Sequence, residues 1–189
     1  AYLWGAAGQL PDESRIFGHE YAPGITAGDD IFTVMSSDIF RGSAFALGYV
    51  NPDNLRGMNI WSDMYKVIRK ANLMLARMDE CQDMTALDRR NYTGYIHFLR
   101  GYAYYHILMT CGPAILVGDE IFESNLEGPA YNTYRATYDE TVEYICSELE
   151  TAAAYLPLKA SIAQFERPTK GAAYALIARL RLHAASPLF

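Results

Sequence analysis

Residues 137–157, TYDETVEYICSELETAAAYLP, form the stretch that decides the fold of this chain. Thr137 and Glu140 have the spacing of a capping box, in which the threonine side chain accepts from the Glu140 amide while the glutamate reaches back. Pro157 ends the stretch, because proline lacks the amide proton that a helix interior needs. Between these signals apolar residues keep helical spacing throughout, at Val142, Ile145, Cys146, Leu149, Ala152, Ala153 and Leu156. The sequence therefore predicts an amphipathic helix from Thr137 to about Leu156.

Two more helices are predicted before this one by the same periodicity. The first runs from about Trp61 to Asp79, and Asn72 falls within its apolar stripe, where a buried amide must be hydrogen-bonded. We therefore expect Asn72 to join the helix to a neighbouring backbone. The second runs from about Leu87 to Thr110 and is apolar on two faces, which is typical of a helix packed between neighbours.

Two glycines in the second helix and an N-cap before the last helix give further information about helix packing. Gly94 and Gly101 lie on one side of the second helix and would allow another helix to approach closely, at a propensity cost of about 1 kcal/mol each. A last helix is predicted from Thr169, a plausible N-cap, to about Ala185. Its leucines point in several directions, so we expect part of its apolar surface to be covered by residues beyond this chain.

Composition argues against several classes of function. The chain has 189 residues, of which 51% are hydrophobic, and a net charge of −6, whereas nucleic-acid binding requires a basic surface. The three cysteines, Cys81, Cys111 and Cys146, are too far apart in sequence for a zinc motif and are interpreted as structural thiols. No common phosphate, nucleophile or metal motif occurs. We expect no metal, no cofactor and no nucleic-acid partner.

The chain divides into a loop-rich part and a helical part. Residues 1–60 are rich in glycine and proline and predict long loops with one short helix near Asp29–Phe40. Residues 61–189 predict two helix pairs, the repeating unit of tetratricopeptide (TPR) and other helical solenoids. The predicted fold class is all-α, with TPR-like helix hairpins and long irregular loops.

Four stretches resemble the SusD-like (SusD/RagB) family of surface glycan-binding lipoproteins, and they occur in the family's order. They are WSDMYKVIRKANLMLARMD (61–79), HFLRGYAYYHILMTCGPAILV (97–117), YRATYDETVEYICSELETAAAYLP (134–157) and RPTKGAAYALIARLRLHAASPLF (167–189). Cys111-Gly112 replaces the family's usual Tyr-Gly. Family members are much longer, so the resemblance implies an N-terminal portion of an incomplete SusD-like fold that packs against the remaining C-terminal part.

The resemblance implies a binding protein rather than an enzyme. SusD-like proteins are lipid-anchored on the outer membrane of Gram-negative bacteria, cover a SusC-like TonB-dependent transporter and help to capture oligosaccharides or, in some members, peptides. We therefore expect a glycan ligand, a SusC-like partner, a cell-surface location and a membrane connection only through an N-terminal lipid anchor that is absent from this chain.

Candidate ligand-binding residues lie just before the helix that starts at Trp61. Sugars are bound by flat aromatic rings together with side chains that hydrogen-bond hydroxyls. The segment 40–54 offers both kinds: Phe40, Arg41, Phe45, Tyr49, Asn51, Asp53 and Asn54. The alternative is that its aromatic residues form a small core beneath a loop.

Two other classes of function remain as alternatives. A TPR-type protein-interaction module would share the helix pairs but would leave the aromatic loop segment unexplained. A helical carbohydrate-active enzyme needs two carboxylates about 5–10 Å apart in a cleft. Asp29, Asp30 and Asp38 are the nearest approach to such a pair, and Asp29 and Asp30 are better explained as an acidic helix start.

Overall fold

The structure, a computed structural model, describes residues 2–11, 47–51, 53, 60–122 and 133–187. These residues contain five α-helices, two short 3-10 helices and no β-strand. The α-helices are α1 (Tyr2–Ala7), α2 (Trp61–Arg77), α3 (Ala86–Cys111), α4 (Tyr138–Tyr155) and α5 (Lys170–Ala184). The predicted helices α2 to α5 are confirmed with small shifts at their ends. The short helix predicted near Asp29–Phe40 lies outside the described residues.

Local capping explains where three of the helices begin. At the start of α4 the Thr137 side chain accepts from the Glu140 amide, and the Glu140 side chain accepts from the Thr137 amide, which confirms the capping box. Thr85 caps α3 by accepting from the Asp88 amide, and Thr169 caps α5 by accepting from the Ala172 amide. Each cap satisfies an amide that the first helical turn leaves without a partner.

Successive helices from α2 to α5 pack antiparallel. Tyr65 and Tyr104 place their ring centroids 6.3 Å apart, and Thr93 Oγ1 lies 3.5 Å from Met78 Sδ, so residue numbers fall along α3 as they rise along α2. At the α4–α5 contact, Tyr138 Oη lies 3.1 Å from His183 Nδ1. This up-and-down order of helix pairs is the arrangement that the sequence predicts.

Two glycines bring α3 and α4 together. A Cβ built on Gly94 would lie 3.0 Å from the Leu156 backbone nitrogen, and one built on Gly101 would lie 3.2 Å from side-chain atoms of Glu148 and Leu149. The interface therefore has no room for a larger residue at either position, as predicted. Tyr104 and Tyr144 complete it with an edge-to-face contact at 5.1 Å between ring centroids.

Helix α1 was not predicted from the sequence. It buries Leu3 and Ala6, and the Trp4 ring lies 5.9 Å from the Tyr95 ring. The Arg167 guanidinium lies 4.8 Å from the Trp4 ring centroid, within the range of a cation–π contact. The same guanidinium lies 5.8 Å from the Tyr95 ring centroid, so Arg167 contacts both α1 and α3.

Helix α5 is covered on one side only by the described residues. Ala173, Leu176 and Leu180 are buried, whereas Leu182 is 78% exposed and Tyr174 is 52% exposed. An apolar pattern that extends around a helix normally indicates burial on more than one side. That residues beyond this chain cover the second side of α5 stays a prediction.

The chain consists of two compact units. One comprises Ala1–Gln9 and Asp63–Phe189 and holds the helical body, and the other comprises Leu10–Ser62. The candidate ligand segment belongs to the second unit, and the buried polar network described below belongs to the first.

Candidate functional site

Three of the seven candidate ligand residues are among the described residues. Tyr49, Asn51 and Asp53 are exposed. Phe40, Arg41, Phe45 and Asn54 lie outside the described residues, so the site as a whole stays a prediction.

The described part of this segment presents its polar and aromatic groups to solvent. Gly48 has a φ of 72°, a left-handed conformation that permits the turn before Tyr49. Tyr49 is 57% exposed, so its ring does not fill a core beneath the loop. The Asp53 backbone amide donates to Asn51 Oδ1 at 3.0 Å, a local turn that fixes the orientation of the Asn51 side chain. An aromatic ring, an amide and a carboxylate that are all exposed within five residues of sequence are the kinds of group that bind a sugar.

A buried polar network joins helices α2, α3 and α4, and the sequence reasoning missed most of it. At its centre Arg100 donates from Nε to Glu148 Oε2 at 2.8 Å and from Nη2 to Glu148 Oε1 at 2.7 Å. Arg100 Nη1 donates to Asn72 Oδ1 at 2.8 Å. His97 Nδ1 lies 2.9 Å from Glu148 Oε2. The guanidinium and the carboxylate thus form a bidentate pair between α3 and α4, the geometry that gives the strongest charge-assisted hydrogen bonds.

The same network holds the segment that follows α3. Asn72 Nδ2 donates to the carbonyls of Gly118 and Glu120, each at 2.9 Å, and Arg100 Nη1 lies 2.5 Å from Asp119 Oδ1. The expected link from Asn72 to a neighbouring backbone is confirmed. Because Asn72 is almost completely buried, these hydrogen bonds replace those that the amide would make with water.

Two tyrosine hydroxyls hold the backbone of the same segment at positions closer to the end of α3. Tyr65 Oη donates to the Ile115 carbonyl at 2.9 Å and accepts from the Ile115 amide at 2.8 Å. Tyr104 Oη accepts from the Val117 amide at 3.1 Å. Burial raises the pKa of Tyr65 to about 12, although its hydrogen bond to the Ile115 backbone acts in the opposite direction. Burial raises the pKa of Tyr104 as well, so both hydroxyls stay neutral and serve as hydrogen-bonding groups.

Opposing effects set the charge state of the buried pair. Burial alone would raise the pKa of the Glu148 carboxyl, but hydrogen bonds from His97 and Arg100 outweigh it and lower that pKa below its ordinary value. Burial likewise disfavours the Arg100 cation, and its hydrogen bonds to Glu148 and Asp119 outweigh this and raise its pKa. Because the ionised carboxylate only accepts hydrogen bonds, His97 Nδ1 carries the proton that it donates to Glu148.

Besides Asn72, the sequence held one further signal for this network. Arg100 lies in α3 with the buried residues Ile96, Ala103 and Tyr104 three and four positions away, so its position falls on the apolar face. A charged side chain on such a face requires a partner of opposite charge. The sequence alone does not show which acidic residue of α4 provides it.

No metal or membrane-spanning site is found in the parts of the chain that the structure describes. Among residues 2–11, 47–51, 53, 60–122 and 133–187, no three His, Cys, Asp or Glu side chains are grouped so as to hold a metal ion. Over the same ranges, every helix is too short or too polar to cross a bilayer.

A comparison with protein families identifies the relatives of this chain. A family model for SusD-like proteins, described as starch-binding and associating with the outer membrane, matches residues 28–182. The chain belongs to the SusD-like family. The resemblance drawn from the four sequence stretches is therefore confirmed. No curated protein matches the chain at a significant level.

Solved structures share the SusD-like fold of this chain. A laminarin-binding SusD-like protein has a TM-score of 0.74 at 22% identity, over 96% of this chain and 40% of its own. Surface glycan-binding protein A from Bacteroides uniformis has a TM-score of 0.73 at 22% identity, over 97% and 41%. A SusD-like protein from Bacteroides fragilis has a TM-score of 0.73 at 22% identity, over 97% and 34%. This SusD-like chain thus spans about a third to two fifths of these relatives' lengths, and the predicted all-α, TPR-like fold class is confirmed.

Proposed function

We propose that this SusD-like chain is the N-terminal helical part of a cell-surface protein that binds an oligosaccharide and delivers it to a SusC-like TonB-dependent transporter. The observation that carries the proposal is the family match over residues 28–182, because the family's description names both starch binding and the outer membrane. One structural neighbour is described as laminarin-binding and another as a surface glycan-binding protein, which supports a glycan as the ligand.

In this proposal the segment 40–54 contributes part of the ligand site. The exposed ring of Tyr49 would cover the apolar face of a sugar ring, while Asn51 and Asp53 would hydrogen-bond its hydroxyls. Binding of this kind needs no chemical step, and the proposed role is capture rather than hydrolysis. The protein would reach the membrane through an N-terminal lipid anchor.

Calorimetry with the full-length protein tests glycan binding most directly. Starch and laminarin oligosaccharides are titrated separately, and the samples are then assayed for newly formed reducing ends. We expect saturable heat with at least one glycan and no new reducing ends. Release of reducing ends would show an enzyme instead. Absence of heat with every glycan would contradict the proposal.

Two related functions would give different results in the same experiments. A peptide-binding member of the family would bind a tryptic digest of a protein and no glycan. A TPR-type interaction module would bind neither, but would co-purify with a protein partner. Delivery to a transporter is tested separately, by isolating the tagged full-length protein from detergent-solubilised outer membranes and identifying a SusC-like protein in the complex.

A further inference from the structure

An apolar groove of about 620 Å³ lies beside the N-terminal helix of the helical body. We call it the methionine groove, because methionines from the end of α2 and the link to α3 line it together with residues of α1 and α3. Its lining includes Tyr2, Leu3, Met74, Met78, Met84 and Ile96. Methionine side chains are flexible and polarizable, so a surface rich in them adapts to different apolar side chains.

The methionine groove continues into an acidic end. A second depression of about 630 Å³ shares Glu80, Cys81, Met84 and Tyr92 with the groove, so the two are continuous. Its lining also includes Asp83 and Asp88. This end has three carboxylate side chains and no lysine or arginine in its lining.

The charges at the acidic end are incompletely neutralised by the described residues around it. Arg77 pairs with Glu80, with Nη2 and Oε2 2.9 Å apart, and Arg89 pairs with Asp79, which is not part of the lining. Asp88 accepts a hydrogen bond from Thr85 Oγ1 at 2.6 Å, which leaves its charge in place. Arg77 lines the adjoining methionine groove and pairs with only one of the three carboxylates, which leaves a negative potential that favours a cationic group.

We propose that the methionine groove and its acidic end bind a basic segment of a protein partner, in which large apolar residues precede lysine or arginine. The apolar side chain enters the groove and the cation lies against Asp83 and Asp88. Charge complementarity with the acidic end favours a basic segment over an acidic one. A sugar suits the groove less well, because thioethers and aliphatic side chains supply few hydrogen-bonding groups for its hydroxyls. This site is additional to the proposed glycan site.

Cys81 provides a built-in reporter for this proposal. It is exposed and lines both parts of the site, whereas Cys146 is buried and Cys111 lies outside the site. The probe is the capped peptide Ser-Leu-Phe-Lys-Arg-Ser, and alkylation of each cysteine is followed by mass spectrometry, with Cys111 as the internal reference. At a peptide concentration about four times Kd we expect Cys81 to be alkylated about fivefold more slowly, because the site is then occupied for about four fifths of the time.

Matched peptides and variants test the two halves of the site. Replacing Lys-Arg by Glu-Glu, or Leu-Phe by Ser-Ser, should abolish protection of Cys81. Asp83→Lys should weaken binding of the Lys-Arg peptide about fivefold, whereas Glu150→Lys, the same charge change at an exposed position of α4, should alter it by less than about twofold. Both substitutions are at exposed positions, and unchanged melting temperatures verify that both variants fold.

Three results would overturn the proposal. One is equal protection of Cys81 by the Lys-Arg and Glu-Glu peptides. Another is equal weakening by Asp83→Lys and Glu150→Lys. The third is protection of Cys81 by laminarin oligosaccharides with none by the peptide, which would make the groove a sugar site.

Discussion

Arg100 and Glu148 form a buried, bidentate ion pair between α3 and α4, with side chains that are 3% and 9% exposed. Each of these charges depends on the other, because both side chains are buried and water cannot solvate one charge if its partner is removed. The pair also holds Asn72 and Asp119, so it connects three helices to the segment after α3. Its removal should therefore affect the stability of the whole helical body.

Arg100→Met should lower the free energy of unfolding by about 3–5 kcal/mol, because it leaves the Glu148 carboxylate buried without its main partner. Urea denaturation measures this change. Arg181→Met is the control, since Arg181 pairs with Glu143 at the surface, where solvent screens the interaction. The interpretation fails if both substitutions have equally small effects.

The double variant Arg100→Met, Glu148→Leu should recover much of the stability that Arg100→Met loses. Replacing both charges removes the unpaired carboxylate, and buried ion pairs are often no more stable than apolar residues of similar size. Denaturation of the two single variants and the double variant forms a mutant cycle. A double variant less stable than either single one would show that the network contributes more than charge pairing.

Stability should fall as the pH drops below the ordinary pKa of glutamate. The pKa of Glu148 is lowered in the folded state relative to 4.5, so its contribution is complete above about that value and is lost as the pH falls through the folded pKa. Urea denaturation between about pH 6 and pH 3 measures the loss. Glu148→Gln should be less stable at the higher pH and should show a smaller loss across this range. Equal losses would assign the acid sensitivity to other carboxylates.

Gly94→Ala should destabilise the chain by about 1–3 kcal/mol, because the added Cβ would lie 3.0 Å from the Leu156 backbone nitrogen. Gly5→Ala is the matched control, since no atom lies within 4 Å of its Cβ position and alanine favours helix. Thermal denaturation should show a lower melting temperature for the first variant only. A neutral Gly94→Ala would mean that α3 and α4 separate slightly without cost.

Tyr49→Ala should weaken glycan binding by about 1 kcal/mol, a roughly fivefold rise in Kd, without lowering the melting temperature. Its ring is exposed, so its loss leaves no cavity. Calorimetry and thermal denaturation of the full-length protein measure the two effects, and Phe45→Ala should behave in the same way. A large loss of stability in either variant would favour a core role for that ring.

Local sequence signals predict the helices of the helical body well. They do not show which residues meet when distant parts of the chain pack together. The capping box, the N-cap Thr169, the close approach at Gly94 and the role of Asn72 all follow from spacing and residue type, and all are confirmed. Glu148 looks like an ordinary surface residue of α4, because only the register between two helices brings it to Arg100. The ligand segment depends on loops without periodicity, so its role stays a prediction.

Helix α1 was missed for a similar reason. It has only six residues, too few for apolar periodicity to be recognised, and its stability comes from packing. Trp4 contacts Tyr95 and Arg167, which lie far along the chain and carry no local sign of the contact.

The stacking of Arg167 on Trp4 has a consequence for the order of folding. A contact between residues so distant in sequence must close a long loop, and that entropy cost delays its formation. Neighbouring helices such as α3 and α4 meet through much shorter connections. We therefore expect α1 to dock after α3 and α4 have met, so that the ring of Tyr95 is covered late in folding.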